Sequence, residues 1–92
     1  MKVKIELYAT LRDKYGAKGI VVECDGSIKN LIEQASKLLD EDFFDEVYDS
    51  RRNFVREDRI FTINGRNIKD IKGEIRLKEG DVVAIFPPIA GG

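Results

Sequence analysis

Histidine and tryptophan are absent from this sequence, which has one cysteine (Cys24), one methionine and two adjacent prolines, Pro87 and Pro88. A lone cysteine excludes an internal disulfide. Without histidine, neither a tetrahedral zinc site nor the Cys–His and Ser–His pairs of nucleophilic catalysis can be assembled from this chain alone. Any chemistry the protein joins is therefore expected to draw its catalyst from a partner. No apolar run approaches the roughly 18 residues of a spanning helix, and the Met1–Lys2 start lacks the apolar core of a secretion signal. The expectation is a cytoplasmic protein with no membrane partner. Neither sign of charge dominates either, with 16 Lys and Arg against 17 Asp and Glu. Nucleic-acid binders show a basic excess, so no nucleic-acid partner is expected.

What is present suits one domain. The 92 residues are 42% hydrophobic, enough to bury a small core without disulfides or metal. Residues 3–8, VKIELY, alternate apolar and polar and predict a half-buried strand. ATLRDKYG reads as a loop with room for a short helical turn, and IVVEC at 20–24 as a second, antiparallel strand. Ser27 is a candidate N-cap for the clearest helix, whose apolar stripe runs Ile28, Leu31, Ile32, Ala35, Leu38 and Leu39. Phe43, Phe44, Val47 and Tyr48 predict a second short helix, followed by loop to residue 58. RIFTI leads into Asn64-Gly65, a type I′ hairpin signal, RNI returns as a short strand, and 69–81 reads as loop. VVAIF at 82–86 is the last strand, ended by two residues that cannot donate to a ladder.

This order predicts an α+β, ubiquitin-like β-grasp domain over 1–92. It has a mixed sheet of about five strands, one main helix on one face, and a C-terminal tail at 87–92. Its first and last strands lie parallel at the centre of the sheet. If Val3, Ile5 and Leu7 face the helix, then Lys4, Glu6 and Tyr8 face away. Val83 and Ile85 likewise point in, which leaves Val82, Ala84 and Phe86 on the open face. Tyr8 and Phe86, at matching ends of parallel neighbours, are expected to lie together beside the tail, and an exposed aromatic pair marks a protein interface. Cys24 shares parity with Ile20 and Val22 and is expected to be a buried, inert thiol.

The tail reads PPIAGG. Two prolines stiffen the exit, and Gly91 and Gly92 let a terminal carboxylate pass a channel too narrow for side chains. The expectation is that Gly92 is a handle, activated as an acyl adenylate and attacked by an amine, a thiol or a persulfide. A terminal Gly-Gly alone arises by chance in roughly one sequence in two hundred; following the last strand of a β-grasp domain it says more.

The segment LKEGDVVAIFPPIAGG resembles the C-terminus of the MoaD-type small subunit of molybdopterin synthase. VKIELYATLRDKYG is similar to that family's opening strand and the element after it. The stretch 40–58 is longer and more acidic than the family's pattern. The resemblance implies a sulfur carrier with no catalytic machinery and no bound cofactor of its own. A ubiquitin-activator-like enzyme uses ATP and Mg to adenylate Gly92, and a sulfur donor converts it to a thiocarboxylate. The large subunit of molybdopterin synthase, in a heterotetramer, then receives the tail and passes sulfur to cyclic pyranopterin monophosphate. Gly91, Ala90, Ile89, Pro88 and Pro87 would thread the tail. Tyr8, Ile68 and Phe86 match the family's apolar contact with partners, and Arg12 its arginine that pairs with an acidic group of the activating enzyme. A solvated surface charge remains the plain alternative for Arg12. Three other readings share the sequence: a ThiS-type carrier for thiazole synthesis, a ubiquitin-like modifier conjugated to lysines through Gly92, and an interaction module with an idle tail.

Overall fold

In a computed structural model of the chain, residues 1–88 are described. Strand β1 (Lys2–Leu7) buries Val3, Ile5 and Leu7 and turns Lys4 and Glu6 the other way. It runs antiparallel to β2 (Gly19–Glu23) and parallel to β7 (Val82–Phe86). Antiparallel to β7 lies β5 (Ile60–Ile63), which turns back into β6 (Arg66–Asn67). The sheet order is therefore β2-β1-β7-β5-β6, the ubiquitin-like β-grasp arrangement expected. Between β5 and β6, Asn64 and Gly65 take φ of 51° and 84°, the positive pair that a type I′ turn needs.

Helix α2 (Ile28–Leu38) carries the buried stripe Ile28, Leu31, Ile32 and Ala35. Its start is fixed locally. The Ser27 hydroxyl accepts from the Asn30 N–H at 3.2 Å, and the Asp25 carboxylate accepts from both the N–H and the hydroxyl of Ser27. The stripe of α2 meets Val3, Ile5, Val22, Phe61, Val83 and Ile85 in one core. Full burial of each large aliphatic side chain contributes about 1.5–3 kcal/mol. Cys24 belongs to the same core. Leu38, the last residue of the helix, departs from the expected stripe: it is 61% exposed.

Two further elements correct the sequence reading. Residues after β1 form a true helix, α1 (Ala9–Tyr15), closed by Gly16 at φ 65°, where a loop with a helical turn was expected. Helix α3 (Phe43–Val47) sits where the aromatic spacing put it. The stretch beyond it is a small antiparallel hairpin, β3 (Tyr48–Asp49) with β4 (Phe54–Val55). Tyr48 and Val55 pair on its buried side, and Arg52 donates to the Val55 carbonyl at 2.9 Å. The loop 69–81 opens with a short 3₁₀ turn at Ile68–Asp70. It is pinned by buried Leu77, whose N–H donates to the Gly26 carbonyl.

Charge stitches the stretch 40–58 to the rest. The Lys14 ammonium lies 2.9 Å from Asp42 and 2.6 Å from Glu46, Glu46 lies 3.0 Å from Arg59, and Arg59 lies 3.1 Å from Asp58. The Tyr15 hydroxyl donates to Asp42. This chain of alternating charge spans α1, α3 and the lead into β5, and its Arg59 is 7% exposed.

Candidate functional site: the aromatic pair at the root of the tail

The open face of the sheet is set by strand alternation. In the parallel register Lys4 stands beside Val82 and Glu6 beside Ala84. Across β7, Thr62 faces Ala84 and Ile60 faces Phe86. Tyr8 follows β1 in extended backbone, φ −124° and ψ 153°, and its N–H donates to the Ile85 carbonyl at 3.2 Å, adding one rung to the parallel ladder. That rung brings the rings of Tyr8 and Phe86 into a stack, with centroids 4.5 Å apart and planes 15° from parallel. Tyr8 is 36% exposed and Phe86 half-buried. The Tyr8 hydroxyl donates to Glu6, and this bond holds the phenol above the ordinary tyrosine range. Immediately after Tyr8, Ala9 takes φ 53°, a left-handed conformation costly for a residue with a side chain. The turn out of β1 is therefore held by its surroundings rather than by local preference.

Pro87 is half-buried and Pro88 exposed directly after Phe86. Ile89, Ala90, Gly91 and Gly92 lie outside the described residues. Arg12 is exposed on α1 and makes no ion pair among the described residues. Ile68 departs from the other expected contact residues. It is 4% exposed and belongs to the core, because the 3₁₀ turn at Ile68–Asp70 folds its side chain under the sheet edge. In its place, register puts Ile60 beside Phe86. The alternation in RIFTI, with Phe61 buried, carried that information, since it sends Ile60 and Thr62 to the open face.

The arrangement offers a flat apolar platform, Tyr8, Phe86 and Ile60, at the point where the chain leaves the central strand. No cluster of three or more Cys, Asp or Glu side chains is placed to hold a metal among the described residues. None of the helices described is long and apolar enough to cross a membrane.

Comparison with known proteins places this geometry. Among curated proteins, none matches by sequence. Among solved structures, the chain is similar to a putative molybdopterin converting factor, subunit 1, from Pyrococcus furiosus. Identity is 29%, with a TM-score of 0.66, over 97% of this chain and 99% of that one. It shares its fold with small archaeal modifier protein 1 from Methanosarcina acetivorans, at 24% identity and a TM-score of 0.78, over 99% of this chain and 96% of that one. It also shares it with a chain of the Amycolatopsis orientalis BexX/CysO complex, at 20% identity and a TM-score of 0.77, over 98% and 99%. The ThiS family model matches residues 5–92, so this chain belongs to the ThiS family of small, ubiquitin-like β-grasp proteins that includes sulfur carriers.

Proposed function

We propose that the protein is the sulfur carrier of molybdopterin synthesis, working through a carboxylate on Gly92. The observation that carries this reading is the stacked, partly exposed Tyr8–Phe86 pair at the root of the tail, within a family match that runs to residue 92. The likeness to the Pyrococcus protein favours the pterin branch over the thiazole branch. In the first step a Gly92 carboxylate oxygen attacks the α-phosphorus of ATP, a C–O–P link forms and pyrophosphate leaves. The terminal sulfur of a donor persulfide then attacks the acyl carbon and AMP leaves. A thiol reduces the resulting acyl disulfide, which frees the thiocarboxylate and joins the thiol to the donor sulfur. In the large subunit of molybdopterin synthase the thiocarboxylate sulfur bonds to a side-chain carbon of cyclic pyranopterin monophosphate as a C–O bond of that carbon breaks and its oxygen leaves as water. Water then cleaves the acyl carbon–sulfur bond and restores the carboxylate. The platform of Tyr8 and Phe86 docks the adenylating enzyme and the large subunit in turn, and Arg12 supplies a cation to the first of these. No step asks an acid or base of this domain.

The test is an intact-mass spectrum of the protein from its native cells, with tandem sequencing of the tail. One oxygen replaced by sulfur at Gly92 supports the carrier reading, and transfer to cyclic pyranopterin monophosphate in the presence of the large subunit fixes the branch. Branched peptides linking Gly92 to lysines, with no thiocarboxylate under any growth condition, would overturn it in favour of a protein modifier.

A further inference from the structure

Strand β2 ends the sheet, and its outer rim is patterned. Met1 and Cys24 exchange two hydrogen bonds, at 2.9 and 3.0 Å, and the Leu7 N–H donates to the Lys18 carbonyl at 2.9 Å. Antiparallel pairs alternate between bonded and non-bonded rungs, so these two rungs set the phase. The even-numbered residues of β2 bond to β1, and Gly19, Val21 and Glu23 aim their N–H and C=O groups outward. Those groups have no partner among the described residues. Proteins ordinarily blunt such a rim with proline, a bulge or lysine; GIVVE has none of these, and its central Val21 is 60% exposed.

The rim is also complementary to itself. In an antiparallel pairing of two β2 strands with Val21 opposite Val21, each outward residue meets an outward residue. Gly19 then faces Glu23 of the second copy, giving about six backbone hydrogen bonds. Gly19 has no side chain, and the space above it holds the stem of Lys4: a Cβ there would stand 3.4 Å from the Lys4 Cε. Both charged groups have only loose partners in their own chain: the Lys4 ammonium has Glu6 at 3.7 Å, and the Glu23 side chain, 71% exposed, has the Met1 ammonium at 3.4 Å. The twofold pairing therefore brings Glu23 of each copy to Lys4 of the other, on both sides of an apolar Val21 pair.

We infer that β2 is a homodimer edge, along which two copies join their sheets in that register. The Tyr8–Phe86 platform lies at the end of β1 and β7, off the rim, and stays open in the dimer.

Sedimentation equilibrium across a concentration series, combined with amide hydrogen exchange, tests this. The wild-type protein is expected to dimerise with rising concentration, with protection appearing at the amides of Gly19, Val21 and Glu23. Val21→Lys sits on an exposed position, so the fold survives it, and it should raise the dissociation constant by about tenfold or more through two opposed ammonium groups. Glu23→Lys should weaken the dimer, and the double variant Lys4→Glu/Glu23→Lys should restore it. A monomer at every concentration would overturn the proposal. So would a dimer indifferent to Val21→Lys, or rim protection that appears only when a different protein is added.

Discussion

Phe86 is the residue on which the proposed partner surface turns. Its ring stacks on Tyr8, Ile60 flanks it in register, and it stays half-buried. Truncation to alanine removes an aromatic pair worth about 0.5–1.5 kcal/mol beyond its area, so a small fall in melting temperature is expected. The larger effect is expected in binding. Phe86→Ala should weaken affinity for the adenylating enzyme by about 2 kcal/mol, read by calorimetry with residues 87–92 intact. Unchanged affinity would remove Phe86 from the interface. This juxtaposition was legible in the sequence because strand alternation needs only parity and direction, and both were readable from VKIELY and VVAIF. The burial of Ile68 was not. It depends on a three-residue 3₁₀ turn whose start is fixed by the Asn67 side chain accepting from the Lys69 N–H, a local geometry with no periodic signature.

At the scale of elements, the charged stretch 40–58 behaves as a brace. Helix α1 begins at Tyr8 without a side-chain cap, so the usual start signal is missing and the sequence shows only a glycine-bounded stretch. The helix is held from outside, by Lys14 and Tyr15 reaching Asp42 and Glu46. The hairpin of β3 and β4 was hidden for a related reason: its strands are two residues each, too short for alternation to register. The brace is pH-dependent. The hydrogen bond from Lys14 holds the carboxyls of Glu46 and Asp42 below the usual carboxylate range, and Arg56 does the same for Asp58. Groups lowered on folding stabilise above their unfolded values near pH 4 and lose that contribution as pH falls through the folded ones. Lys14 has the opposite sign: hydrogen bonds to Glu46 and Asp42 raise it, so its contribution is complete below about pH 10.4 and lost on further alkalinisation. Glu46→Gln weakens the partnership with buried Arg59 and should cost about 1–2 kcal/mol at neutral pH. It should also flatten the acid limb of the melting temperature against pH below about pH 4. An acid limb as steep as the wild type's would show that the chain of charges is ornamental to stability.

At the scale of the molecule, the domain and its tail are expected to separate cleanly in function. The core that sets stability lies among β1, β2, β5, β7 and α2, with side chains of α1, α3 and the β3–β4 hairpin packed into it, whereas the proposed chemistry belongs to Gly92. One residue added after Gly92 should abolish sulfur loading, measured by intact mass after incubation with the adenylating enzyme, ATP and a sulfur donor. The melting temperature should stay unchanged. Loading of the extended chain would refute the tail mechanism.

The strand that leads into the tail has a further consequence, and it is mechanical. β7 is gripped on both sides, by β1 in parallel and by β5 in antiparallel pairing, and β1 begins at Lys2 while β7 ends at Phe86. A tension applied between residues 1–2 and residues 87–88 therefore pulls two parallel neighbours in opposite directions along their own length. It loads the rungs between them together, in shear, where an antiparallel exit would open them one at a time like a zip. A domain drawn by its tail into a tight passage is thus anchored at the point where the strain arrives.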